Sequence, residues 1–321
     1  MDVISIGALN LDFIYEIEDL SYLQTLELHI EEGKEIVGQT KSFLCLREKL
    51  NRFGTLSKVS LGGSASNTGH VLSRLGFRTG LMGVLGEDKE GDFYLRQILY
   101  ENTDLIIRRG ETGVAYIINT AKKDRSIIVF PNSNSEIRLS DINFNVLSRV
   151  RLIHMTSLVS ENAFEVQKSI KRELSGTVLF SLDPGEIYAR MGEKLHPLIE
   201  GVEILFTTEK EMELIFGTDE ESARKKALEM AAMLVVKKGK NGASLYTKGL
   251  ACDVSADEVE AVDNTGAGDV LNGVFLALYL QKVDPSVALL VAVKAASMSV
   301  TGYGRDTYPS KQAIEAMMNI K

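Results

Sequence analysis

From residue 151 the chain alternates short β-branched runs with helical stretches. Strands are expected at 151–155, 177–183, 203–206 and 234–237, with helices at 163–174, 209–216 and 220–233 between them. Such alternation predicts a doubly wound, mostly parallel α/β sheet with helices on both faces. Residues 3–6, β-branched and ending at Gly7, predict one more buried strand of the same sheet. With 321 residues and 45% apolar content, the chain can bury a core for one domain spanning 1–321. The apolar stretches 271–280 and 285–300, the second opened by Asp284-Pro285 as cap and first-turn proline, predict two further buried helices.

The chemistry concentrates where the first of those helices begins. Three small residues, Gly266, Ala267 and Gly268, let their backbone N–H groups converge on one spot, with the positive end of the helix behind them. That spot suits an anion, and Asp269 beside it offers a base for a hydroxyl proton. A glycine turn with an acidic first-turn residue is also a common helix start, and these residues alone do not choose. Asn10 and Asp12 follow the first strand, where ligands sit in open α/β sheets, or they form a turn bonded to its own backbone. Gly62, Gly63 and Asn67 open a third helix, 69–75, stopped by Gly76. They read either as a close-approach site for a ligand or as a glycine-rich cap.

These motifs together resemble the PfkB family, the ribokinase-like carbohydrate and nucleoside kinases. The stretch Asp263-Asn264-Thr265-Gly266-Ala267-Gly268-Asp269 is similar to the family's Asp-Thr-x-Gly-Ala-Gly-Asp, with Asn264 in place of threonine. Gly62-Gly63, followed by Asn67, is similar to its Gly-Gly-x-x-x-Asn, and the 7–12 segment to its first substrate loop. The resemblance implies a ribokinase-like fold with a small β lid at about 13–55 and 105–130. It implies transfer of the γ-phosphate of ATP to a hydroxymethyl group of a sugar or nucleoside. In that reading Asp269 is the general base and the Gly266, Ala267 and Gly268 amides form the anion hole. Asn10, Asp12, Gly62, Gly63 and Asn67 hold the substrate. Lys237, Gly239, Gly242, Asp263, Thr265 and Gly304 face the nucleotide, and Glu211 organises Mg2+, with Thr208 where the family's Asn-x-x-Glu has asparagine. The family also implies a monovalent cation near Gly302-Tyr303-Gly304 and a homodimer through the lid. Asp269 is expected to be ionised at pH 7, because the helix dipole and nearby amides favour its charged form.

Within the lid, strands are expected at 13–17, 36–43, 105–108, 113–119 and 126–130, the last two joined by a hairpin tip bearing Lys122, Lys123 and Arg125 as solvated charges, with a helix at 43–53; another helix is expected at 90–101, before the second lid segment. Thr156-Ser157-Leu158 lacks the glutamate that ribose-specific members carry there, which counts against a ribokinase. The alternatives are a vitamin kinase of the same fold, disfavoured by the Gly-Gly-x-x-x-Asn motif, and a non-catalytic binding relative, which would have no need of Asp269. His154, alone in an apolar strand, is expected in the core.

Thirty-six basic against 44 acidic residues leave a net charge of −8, which predicts no nucleic-acid partner and no attraction to anionic membranes. Cys45 and Cys252 lie far apart without any CxxC or Cys/His spacing, so neither a zinc site nor a disulfide framework is expected. The acidic N-terminus is unlike a secretory leader and no apolar run reaches spanning length, so a cytoplasmic protein is expected. Gly80, Gly83 and Gly86 lack dinucleotide spacing, and no Walker A sequence occurs.

Overall fold

Val3–Ile6 (β1) has all four side chains buried and pairs in parallel on both sides, which places it inside a sheet rather than at an edge. A computed structural model of the chain describes residues 1–25, 28–38, 40–120 and 125–319. The remaining strands are Asn10–Ile17 (β2), Glu35–Val37 (β3), Gly54–Gly62 (β4), Thr79–Leu85 (β5), Asn102–Arg108 (β6), Gly113–Thr120 (β7), Arg125–Phe130 (β8), Leu152–Thr156 (β9), Leu179–Asp183 (β10), Val202–Thr208 (β11), Ala231–Lys237 (β12), Ala243–Tyr246 (β13) and Ala251–Val254 (β14). They form a nine-stranded sheet in the order β14-β13-β12-β11-β10-β9-β1-β5-β6 and a five-stranded sheet in the order β3-β8-β7-β2-β4. The large sheet is parallel from β12 to β6, and β13 and β14 add antiparallel edge strands.

Two apolar layers sandwich this sheet. The helices Ser64–Arg74, Ala267–Leu280 and Pro285–Ser299 pack on one face; Glu161–Leu174, Glu209–Phe216 and Glu220–Met230 pack on the other. Val270, Leu271, Val274, Phe275, Leu276 and Leu278 are all buried, and each such side chain contributes about 1.5–3 kcal/mol, so the helix they share is held in one position. A third core joins the five-stranded sheet to the helix Thr40–Phe53 through Leu46, Leu50, Tyr116 and Phe130. Among the described residues no helix is long and apolar enough to cross a membrane.

Parallel winding brings the carboxyl ends of the strands to one edge. Thr156 ends β9 in register with Asp183 at the end of β10, and Thr208 ends β11 in register with Lys237 at the end of β12. Five sequence expectations change. Residues 105–108 belong to β6, the edge of the large sheet, and not to the lid, because β6 pairs in parallel with β5. Asn10 and Asp12 lie within β2, a lid strand, instead of on a loop: the chain passes from the large sheet to the small one in three residues. The strand expected at 36–43 ends at Val37, and helix begins at Thr40. The 90–101 helix stops at Gln97, and the 220–233 helix yields to β12 at Ala231. β7 and β8 do pair antiparallel, while the hairpin tip with Lys122 and Lys123 lies outside the described residues.

Candidate active site

Asp269 is the third residue of the helix Ala267–Leu280, whose N-cap Gly266 makes no side-chain capping bond. Gly266 has φ +80°, and a Cβ there would stand 2.1 Å from the Tyr308 hydroxyl, so the turn requires glycine twice over. First-turn amides have no partner within their own helix, so an uncapped start presents them to a ligand, although the Ala267 amide makes a long contact, 3.4 Å, with the Asn264 carbonyl. The Lys237 ammonium lies 3.5 Å from where a Gly268 Cβ would be, adding a positive charge on that side of the turn.

Lys237 does not stand alone. Its Nζ is 2.5 Å from Asp183 Oδ2, and the same carboxylate oxygen accepts from Asn272 Nδ2 at 2.6 Å. Burial alone would raise the Asp183 carboxyl, but the charge and hydrogen bond of Lys237, with the Asn272 bond, leave it below the usual range. Lys237 is in turn kept protonated against its burial by Asp183 and Glu211. Asp269 follows the opposite course. Burial, against the hydrogen bond from Asn67 and with a smaller push from Asp183, lifts its carboxyl up to about 7, since Lys237 and the hydrogen bond from Ser64 only partly offset the rise. The expectation of an ionised Asp269 at pH 7 is therefore corrected: the helix end favours charge, but loss of water around the carboxylate outweighs it.

Asn67 reaches Asp269 from the Ser64–Arg74 helix, Nδ2 to Oδ2 at 2.8 Å across 202 positions of sequence. Gly63, at φ +92°, starts that helix, and a Cβ there would collide with the Ala8 carbonyl at 2.0 Å. Gly62 makes room for Asp12: a Cβ would come within 2.0 Å of Asp12 Oδ1. A cleft of about 260 Å³ opens between the two sheets. Asn10, Asp12, Gly63, Asn67, Thr265 and Asp269 line it, with Ile117, Ile127, Val129, Val159 and Ile187 as its apolar wall. Asn10, Asp12, Gly63 and Asn67, expected at the substrate, thus share one cavity with the expected base.

Other expected residues have visible structural partners. Asp263 accepts from the Thr265 amide at 2.9 Å and the Gly304 amide at 3.2 Å, tying the glycine turn to the C-terminal segment. A second cleft, of about 510 Å³, runs along Asp263, Asn264 and Tyr303 beneath the lid residues Ile14, Glu16 and Asn119. Gly239 and Gly242 lie outside these clefts, on the turn after β12, where a Cβ on Gly242 would strike the Val254 carbonyl at 1.9 Å. Glu211 forms a capping box with Thr208: the Thr208 amide donates to Glu211 Oε2 at 2.8 Å and the Glu211 amide to Thr208 Oγ1 at 3.2 Å. Threonine where the family has asparagine thus keeps a helix cap. Glu211 is buried, and desolvation raises its carboxyl despite the nearby Lys237. Among the described residues no group of three His, Cys, Asp or Glu side chains gathers to hold a metal ion. His154 is in the core as expected, Nδ1 on Ser181 Oγ at 2.9 Å, pushed by burial down to about 4.

Four residues of this centre escaped sequence reasoning. Asn134 braces the cleft, donating to Asn10 Oδ1 at 2.7 Å and accepting from the Leu9 amide at 2.8 Å. Asn272 and Arg305 act through contacts that no local pattern announces. Asp183 did have a signal, as an acidic residue at the carboxyl end of an expected strand.

A parallel sheet whose carboxyl edge meets a separate β lid, with a buried carboxylate at an uncapped helix start between them, is the architecture of a ribokinase-like phosphotransferase. The family model for pfkB family carbohydrate kinases matches residues 35–312, and the chain belongs to that family, whose members transfer phosphate to an alcohol group. An uncharacterized sugar kinase of Archaeoglobus fulgidus is 33% identical over 218 residues, covering 66% of this chain and 87% of that relative. The adenosine kinase of Sinorhizobium meliloti superposes with a TM-score of 0.85 at 21% identity, over 98% of each chain. A candidate ribokinase II from E. coli, solved in complex with ATP and Mg2+, superposes with a TM-score of 0.79 at 22% identity, over 100% of this chain and 99% of that one.

Proposed function

We propose that this chain transfers the γ-phosphate of ATP to a hydroxymethyl group of a sugar or nucleoside, with Asp269 as general base. The observation that carries the reading is Asp269 itself. A carboxyl raised to about 7, at the floor of a cleft and beside uncapped first-turn amides, is tuned for proton transfer near neutral pH. The Asp269 oxygen takes the hydroxyl proton as the alcohol oxygen bonds to the γ-phosphorus and the bond to the ADP oxygen breaks. The amides of Gly266, Ala267 and Gly268, with Lys237 beside them, bear the negative charge that develops on the transferring group.

Asp12, Asn10 and Asn67 offer carboxylate and amide groups to substrate hydroxyls, and the isoleucines and valines of the cleft wall pack on the apolar face of a sugar or base. Lid closure over this cleft would exclude water from the transferring phosphate. Glu211, close enough to Lys237 for the two charges to act on each other, would support the water shell of a magnesium ion carried with ATP, a metal that needs only one or two protein carboxylates beside the phosphates. When bound, Mg2+ neutralises phosphate charge. In this reading Asp263, Thr265 and Gly304, which share a small cleft, face the nucleotide, and Gly239 and Gly242, on the turn after β12, approach its adenosine part. A monovalent cation near Gly304 and a dimer through the lid belong to the same reading, the latter supported by the exposed Leu44, Phe53 and Leu56. Potassium dependence of kcat and mass in solution test these two.

The decisive experiment is ADP release from ATP and Mg2+ across a panel of sugars and nucleosides. Turnover with at least one neutral alcohol acceptor is expected. ATP binding without turnover on any acceptor would instead leave a binding relative of the family.

A further inference from the structure

Asn67 is held from both ends. While its Nδ2 donates to Asp269 Oδ2 at 2.8 Å, its Oδ1 accepts from Arg305 Nε at 3.0 Å. Arg305 lies in the 3-10 turn Gly304–Thr307, 238 positions away in sequence. Its Nη2 also donates to Ser66 Oγ at 2.6 Å, and the buried Tyr94 hydroxyl donates to the same oxygen at 2.5 Å. The guanidinium is thus held through two of its three nitrogens, while Nη1 is buried without a hydrogen-bond partner among the described residues. Glu101, hydrogen-bonded to His70 at 2.8 Å, lies close enough for its carboxylate to feel the Arg305 charge.

A guanidinium has donors only, so the end of the Asn67 amide that faces it must be oxygen. The NH2 end is thereby committed to Asp269. Without that partner either end of the amide could face the carboxylate, and the oxygen end would repel it. We propose that Arg305 is a positioning residue for phosphoryl transfer, clamping Asn67 so that its amide NH2 stays on the base. The proposal rests on the reading of Asp269 as that base.

The groups facing Asp269 are Asp183 from β10, Lys237 from β12, Tyr308 from the C-terminal segment, and Ser64 and Asn67 from the Ser64–Arg74 helix. Of these, Asn67 is the one that Arg305 grips. The same short C-terminal segment is joined to the lid: Lys58 of β4 donates to the Tyr303 carbonyl at 3.1 Å and pairs with Asp306 at 2.6 Å. A lid strand and the orientation of the base are therefore tied to one turn.

The test reads Asp269 directly. In protein labelled with 13C-aspartate, the Asp269 carboxyl resonance, identified by its loss in Asp269→Asn, is titrated in the parent, in Arg305→Met and in Asn67→Leu. Removing a donor that favours the charged carboxylate raises the midpoint, by about one pH unit for one hydrogen bond to a charged group. Arg305→Met and Asn67→Leu should each raise it, and the double variant no more than Asn67→Leu alone. With a substrate in hand, the acid limb of kcat should move the same way and kcat should fall about ten- to a hundredfold, the scale of a small misplacement of a reacting group, while KM for ATP holds. Arg305→Ala, which leaves a half-buried position to water, carries the same titration should the methionine variant not fold. An unmoved midpoint in the Arg305 variant, or shifts that add in the double variant, would overturn the proposal. Failure to phosphorylate any acceptor would defeat the kinase reading and leave the titration to decide the role of Arg305.

Discussion

Asp183 and Asp269 are both buried at the carboxyl edge of one sheet, yet their surroundings drive them apart. Asp183, at the end of β10, has a buried ammonium and an amide on one oxygen and stays ionised. Asp269, at the start of a helix, has an amide from Asn67, no ammonium in hydrogen-bond contact among the described residues, and a carboxyl near 7. Identical side chains acquire different tasks because both are desolvated but only Asp183 is paired with an ammonium. Asp183 anchors a cation beside the anion-binding turn; Asp269 is left able to gain and lose a proton.

The largest effect should come from removing the poised member. Asp269→Asn keeps the shape and the bond from Asn67 but cannot take a proton, so kcat should fall by about 10² to 10⁴, the range for general-base catalysis, while ATP affinity holds. Single-turnover rates and ATP titrations measure this. A variant that binds ATP and turns over at the parental rate would exclude Asp269 as base and remove the functional half of the contrast.

Removing the paired member should damage the fold first. Asp183→Asn leaves Lys237 as a buried cation without its partner, and breaking such a pair typically costs about 3–5 kcal/mol. Denaturant unfolding would show it as a lower midpoint. The same change should lower the carboxyl of Asp269, since Asp183 raises it now and a released Lys237 could approach it. An Asp183→Asn variant as stable as the parent would show that the pair is not the structural counterpart of the base.

The contrast also sets the pH dependence. Catalysis needs Asp269 deprotonated, so kcat should have an acid limb with a midpoint at about 7, falling about tenfold per pH unit below it. The sign for stability is the reverse. A carboxyl raised in the folded state from its ordinary 3.8 favours folding at low pH, and that contribution is lost as pH rises through the folded value. Asp269→Asn should therefore melt higher than the parent at pH 8, the gain shrinking toward pH 4 and vanishing there. Equal melting temperatures at pH 8 would mean that Asp269 is not desolvated.

Much of this was legible in the chain. Alternating runs announced the parallel sheet, and the two glycine motifs announced the helix starts that carry Asn67 and Asp269, because turns and caps have local causes. The carboxyl of Asp269 was read with the wrong sign, since the helix end is a sequence feature whereas desolvation arises only when β10, β12 and the Ser64–Arg74 helix converge on it. Asn10 and Asp12 were read as loop residues because their strand belongs to a second sheet, whose register is set by β4 and β7 rather than by their own alternation. Arg305 and Asn272 stayed silent for the same reason: each acts on a residue far away in sequence.

The smallest expected effect concerns the third carboxylate of this edge. Glu211 sits near Lys237, as Asp183 does, yet burial raises it, and one of its oxygens is spent on the Thr208 amide. If Thr208 serves as a helix cap, Thr208→Ala should cost about 1 kcal/mol of stability and Thr208→Asn close to nothing, because asparagine caps as well as threonine. If its hydroxyl served the metal-bound waters instead, alanine and asparagine would both leave stability alone and shift the Mg2+ concentration for half-maximal rate. Thermal melts alongside Mg2+ titrations separate the two. The capping geometry favours the first outcome, since Thr208 Oγ1 already accepts from the Glu211 amide and the Glu211 carboxylate already accepts in return. Glu211 would then meet the metal with its orientation fixed by the same box that starts its helix.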